Sequence, residues 1–116
     1  MRLLAALFFL ISSAVGNAAE LLMFEEQSCI WCRRFDAEIA PAYAKTTEGQ
    51  EAPLRRVDIR QKHPADIVFS ETPRLTPTFI LVENNREIGR ITGYPGAEFF
   101  YPLLTQLLAK RSQKTP

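Results

Sequence analysis

The only two cysteines of this 116-residue chain stand three positions apart, in Cys29-Ile30-Trp31-Cys32, where one side-chain pattern gives way to another. Before them Leu21, Leu22, Met23 and Phe24 form a continuous apolar run of strand length, closed by the polar group Glu25 to Ser28. After them Ile30, Trp31, Phe35, Ile39 and Tyr43 recur at helical spacing, with Arg33, Arg34, Asp36 and Glu38 between them. A buried strand therefore feeds a helix that opens at the cysteines, with Ser28 as candidate N-cap. Pro41 removes a backbone donor and predicts a kink or break near Ala40, with the helix over by Lys45.

The first residues follow a different rule. Arg2 gives a positive start, Leu3 to Val15 is apolar apart from Ser12 and Ser13, and small residues follow at Gly16, Ala18 and Ala19. This is the order of a secretory signal, with small side chains at the two positions a signal peptidase reads. A membrane anchor needs about 20 apolar residues, more than this run holds. Residues 1–18 are read as a cleaved leader, with Ala19 as the second choice of cleavage point, and 19–116 as one domain. Lysine and arginine total 14 against 13 acidic residues, so there is no basic footprint for nucleic acid; the tail with Lys110, Arg111 and Lys114 reads as solvated.

Further along, Gly49 to Pro53 reads as a loop and Leu54 to Ile59 as a second strand. Pro64 suits the first turn of a short helix over Ala65 to Ser70, ended by Thr72 and Pro73. Thr78 to Val82 and Glu87 to Thr92 form a hairpin around Asn84 and Asn85. Phe99, Phe100, Leu103, Leu104, Leu107 and Leu108 fall on one face of a closing helix. The order β-α-β-α-β-β-α implies an α/β domain: a mixed sheet covered by helices.

A thiol at a helix N-terminus faces unsatisfied N–H groups and the positive end of the helix dipole, which stabilise its thiolate. Cys29 is accordingly the candidate nucleophile, and Cys32, one turn further in, the thiol that resolves a mixed disulfide. A purely structural disulfide is the plainer alternative, but so short a loop restrains the unfolded chain little. Zinc lacks ligands, with only His63 to join the cysteines, and haem attachment would need histidine where Arg33 stands. The chemistry calls for no cofactor and no metal.

With the strand before Cys29, the C-x-x-C pair, Thr76-Pro77-Thr78 and Gly93 after the last strand, the stretch from Leu21 to Leu108 resembles the thioredoxin-like superfamily. The resemblance implies a minimal thioredoxin fold, a cis bond before Pro77, and Thr76 and Pro77 as a loop that faces the client peptide. Trp31 adds a candidate client contact, with a core aromatic as its alternative. Around Phe24 to Phe35 the chain is similar to the small periplasmic thioredoxin-like proteins that accompany sulfur-oxidation proteins, whose client is a sulfur carrier kept as a thiol. The implied protein is a monomeric periplasmic reductase of exported clients, with a membrane thiol donor upstream. A general oxidase or isomerase, or a redox-inactive binding module on the same fold, are the alternatives.

Two features depart from the family pattern. Met23 stands where thioredoxins carry a buried aspartate, the proton acceptor for the resolving thiol, and Ile30-Trp31 replaces Gly-Pro. Glu25 or Glu26 is placed to substitute through a water, against the plainer reading of both as solvated charges at a strand end. Arg33 and Arg34 are candidates to stabilise the Cys29 thiolate, against ordinary exposed arginines.

Overall fold

The computed structural model describes residues 5, 6 and 18–112, so almost all of the leader read over residues 1–18 lies outside the described residues. From Ala19 the chain runs β1 (Ala19–Glu25), α1 (Ile30–Glu38), α2 (Ala40–Tyr43), α3 (Thr47–Glu51), β2 (Leu54–Asp58), β3 (Thr78–Glu83), β4 (Arg86–Thr92) and α4 (Ala97–Ser112). The sheet order is β2-β1-β3-β4. A helical crossover between β1 and β2 permits their parallel pairing, whereas β3 and β4 pair antiparallel through a two-residue turn. Asn84 and Asn85, with φ of 54° and 61°, supply the left-handed pair that such a hairpin turn requires.

β1 is central, paired with β2 on one side and β3 on the other, and its side chains alternate between two cores. Leu21 and Met23 face the helical side, where they meet Phe35 and Ile39, Tyr43, and Phe100, Leu104 and Leu107 of α4. Leu22 and Phe24 face the other side with Ile80, Val82 and Ile67. Phe35 is fully buried, with ring centroids 4.8 Å from Phe79, 5.3 Å from Phe100 and 5.8 Å from Tyr94. These rings anchor the helix that carries the cysteines.

The mixed α/β sheet is as expected, with three differences of detail. The short helix expected over Ala65 to Ser70 does not form. Its main chain is taken up by the neighbouring hairpin: Val68 N–H donates to Asn85 O at 2.8 Å, and Glu87 N–H donates to Val68 O at 3.1 Å. Six residues that include β-branched Ile67 and Val68 cannot repay helix nucleation against that alternative. The segment instead covers the second core through Ile67 and Phe69, with His63 edge-on to Phe24 at 5.2 Å.

Second, α3 runs into the loop expected over Gly49 to Pro53 and takes up its first three residues. Thr46 caps it by accepting from Gly49 N–H at 2.9 Å, and a Cβ on Gly49 would lie 1.8 Å from Tyr43 O, so the glycine marks a close approach rather than a loop. Third, α4 buries Phe100, Leu104 and Leu107 but leaves Phe99 and Leu103 exposed, so the expected six-residue apolar face is narrower in fact. Pro41 acts as expected: α1 ends at Glu38, and α2 restarts with the proline in its first turn, where a missing N–H costs nothing.

Candidate active site

Pairing register brings the site together. Phe24 lies opposite Thr78, and Thr78 lies opposite Thr92, so the chain leaving β1 toward Cys29, the chain entering β3 from Thr76-Pro77, and the chain leaving β4 at Gly93 all emerge at one end of the sheet. β2 runs parallel to β1, with Glu25 opposite Asp58, and delivers Asp58 to the same end.

Cys29 and Cys32 are joined by a disulfide with a Cα–Cα separation of 5.2 Å. The N-cap of α1 is Cys29 itself rather than the expected Ser28: its Sγ accepts from Cys32 N–H at 3.1 Å. That donor, together with the helix N-terminus, is placed to stabilise negative charge on the Cys29 sulfur. Both cysteines are largely covered, at 7% and 4% exposure, while Ile30 and Trp31 between them are 61% and 49% exposed. Trp31 is therefore a surface side chain and not the core aromatic that was its alternative. Arg34 places its guanidinium 5.2 Å from the Trp31 ring centroid and pairs with Glu38 at 3.4 Å.

The Thr76-Pro77 bond is cis. Thr76 is half-buried and Pro77 buried. Two hydrogen bonds fix the segment: Thr78 Oγ1 donates to Leu75 O at 2.6 Å, and Gly93 N–H donates to Pro77 O at 2.7 Å. Leu75 remains 63% exposed beside it.

Sequence reasoning named Glu25, Glu26 and Arg33 near the cysteines but missed Asp36, Asp58 and Arg56, which join them in one place. Beside Cys32 lies a cavity of about 180 Å³, lined by Glu25, Glu26, Gln27, Cys32, Arg33, Asp36 and Asp58. Arg56, directly opposite Met23 in the β1–β2 register, donates to Glu25 Oε2 at 2.5 Å and to Asp36 Oδ1 at 2.7 Å. Partial burial disfavours its charge, but the hydrogen bonds to Asp36 and Glu25 outweigh that and hold the guanidinium above its ordinary range. The available signal was the spacing of Cys32 and Asp36, four residues apart on one helix face. Arg56 gave none, because its partners come from two other elements.

A central mixed sheet, a disulfide capping the first helix and a cis-proline loop at the same end define a dithiol–disulfide exchange domain of thioredoxin architecture. No family model matches the chain, nor does any curated protein. Among solved structures, the periplasmic thioredoxin SoxS from Paracoccus pantotrophus, in its reduced form, is 43% identical over 80% of this chain and 98% of that one, with a TM-score of 0.78. Thioredoxin f from spinach chloroplast is 25% identical over 83% of this chain and 73% of that one (TM-score 0.56). Fasciola hepatica thioredoxin shares the fold at 23% identity over 78% of this chain and 81% of that one, with a TM-score of 0.60. The chain belongs to the thioredoxin family and is a thiol–disulfide oxidoreductase.

Proposed function

We propose that the protein is a periplasmic reductase of disulfides in particular exported clients. Cys29 attacks the client disulfide, and Cys32 resolves the mixed disulfide so formed. The observation that carries this reading is the 43% identity to a periplasmic thioredoxin across 98% of that protein, and the secretory pattern of residues 1–18 supports it. The client lies against Trp31 and the Thr76-Pro77 segment, at the end of the sheet where the disulfide emerges. A membrane thiol donor restores the dithiol, and the protein works as a monomer without nucleic acid.

The roles of the two sulfurs follow from their surroundings. Cys29 has the N-cap position and the Cys32 N–H, so its thiolate is the better supported attacking group. Without Cys32 nothing resolves the covalent adduct. Cys32→Ser is therefore expected to trap clients as mixed disulfides through Cys29, and Cys29→Ser to trap few. Expression of each variant in the source organism, with non-reducing electrophoresis and mass spectrometry of the periplasmic fraction, reads this directly. One dominant exported partner supports a dedicated reductase, and many adducts would support a general oxidase or isomerase. Equal trapping by both variants overturns the roles given to the cysteines.

A further inference from the structure

Resolution of a mixed disulfide requires the Cys32 thiol to lose its proton as its sulfur attacks Cys29. Met23, which faces the same core as Cys32, has no group that accepts one. Cys32 is only 4% exposed but lines that cavity, so the carboxylates sharing the space are the candidates to receive the proton. Glu25 closes β1 and Glu26 follows it, Arg33 and Asp36 come from α1, and Asp58 from β2. Two further cations bind these carboxylates from β2 and the turn after it: Arg56, on Glu25 and Asp36, and Arg60, whose Nε lies 3.3 Å from Glu26 Oε2.

The candidates are not equivalent. Glu25 follows Met23 by two residues in the strand, so strand alternation sends it to the same sheet face as Met23 and the helix that carries Cys32. Glu26 lies past the strand and turns to Arg60, and Asp58 accepts the Arg60 N–H at 2.8 Å. Asp36 is the more open of the two carboxylates on Arg56, at 44% side-chain exposure against 30% for Glu25. Arg56 reaches across Met23, with Nη1 3.8 Å from its Sδ, and its two bonds tie the end of β1 to the second turn of α1. Its bond goes to Oε2 of Glu25, which leaves Oε1 to accept.

We propose that Glu25 is the proton acceptor for Cys32 in the resolving step, acting through solvent in the shared cavity, and that Arg56 is the residue that positions it. The proposal rests on the assignment of Cys32 as the resolving thiol. The Cys32 S–H proton passes to Glu25, and the sulfur electron pair forms the bond to Cys29 Sγ as the Cys29–client S–S bond breaks. The client sulfur leaves as a thiolate and is protonated by solvent or by Glu25. The client gains two electrons and the cysteine pair loses them, which gives the Cys29–Cys32 disulfide.

Stopped-flow reaction of the reduced full-length mature protein with dithiobis(nitrobenzoate) separates the two steps, because each releases one coloured thiolate. The first phase reports attack by Cys29 and the second reports resolution by Cys32. Glu25→Gln is expected to leave the first phase within about twofold and to slow the second by about tenfold or more at neutral pH, a loss at or below the usual range for a general base. The deficit is expected to close as the pH is raised, where the thiol ionises without help. Arg56→Met should slow the second phase as well, and Arg56→Lys should recover part of the rate. Glu26→Gln should match the parent. An unchanged second phase in Glu25→Gln, an equal loss in both phases at every pH, or a loss confined to Glu26→Gln overturns the proposal. Release of a single thiolate by the parent protein would instead overturn the assignment of Cys32, a separate failure.

Discussion

Phe35 holds the helix bearing the disulfide onto the sheet, and its replacement has a calculable cost. The ring is fully buried and meets Phe79, Tyr94 and Phe100 at centroid distances of 4.8, 5.8 and 5.3 Å. Removal of a buried phenylalanine to alanine costs about 3–5 kcal/mol, and aromatic pairs contribute about 0.5–1.5 kcal/mol each beyond the area they bury. With three such neighbours Phe35→Ala belongs at the upper end, about 5 kcal/mol, which can consume the whole stability of a small domain, about 5–15 kcal/mol. Phe35→Leu keeps most of the volume and forfeits mainly the ring contacts, so about 2 kcal/mol is expected. At an m-value of about 1 kcal/mol per molar urea, that moves the unfolding midpoint down by about 2 M. Urea unfolding followed by far-ultraviolet circular dichroism, with the disulfide intact in both proteins, measures it. A cost below about 1 kcal/mol for Phe35→Ala would refute the argument, since it would mean that the ring cluster is not the seam between α1 and the sheet. An altered m-value in Phe35→Leu would mean that the loss lies partly in the unfolded chain.

Tyr43 donates its hydroxyl to Ala52 O at 2.6 Å, and Ala52 is fully buried, so Tyr43→Phe leaves a carbonyl unpaired and should cost about 1–3 kcal/mol in the same urea assay; no change would show that the bond contributes nothing net. For Glu87, burial pushes the carboxyl up from its ordinary value of 4.5, but hydrogen bonds from Arg90 and Ser70, with the Arg90 charge, outweigh it and bring the group below that value. A depressed folded-state value means stability that is present above about pH 4.5 and is lost as pH falls through the folded value, so Glu87→Gln should be less stable than the parent at neutral pH by about 1–3 kcal/mol, and the gap should shrink in acid. A gap independent of pH would refute the ionic account. The exported protein is expected to begin at Ala19 or Glu20, checked by intact mass of the periplasmic form; a membrane-bound product that keeps Met1 would refute the leader.

The disulfide, its strand–helix setting and the hairpin were legible because each is a local pattern: apolar run, helical period, Asn-Asn turn. The roles proposed for Cys29 and Cys32 were read from the chain alone, since the helix start expected to stabilise the first sulfur lies at that sulfur. Thr76 and Pro77 were legible only by family resemblance, because nothing local separates a cis proline from a trans one. What the sequence misstated was decided by partners remote along the chain. Ala65 to Ser70 has a helix-like start at Pro64, yet its main chain bonds to the β3–β4 hairpin, and no residue within the segment reports that competitor. Gly49 reads as a loop signal until the Tyr43 carbonyl is seen against it. The cavity beside Cys32 is the clearest case: Glu25, Asp36 and Arg56 lie on three different elements, and only the parallel register of β1 and β2, with α1 folded over them, brings one guanidinium to both carboxylates. Sequence determined which residues could do the sulfur chemistry, while the tertiary pairing decided which charges stand next to it, because hydrogen bonds between distant segments leave no period in the chain.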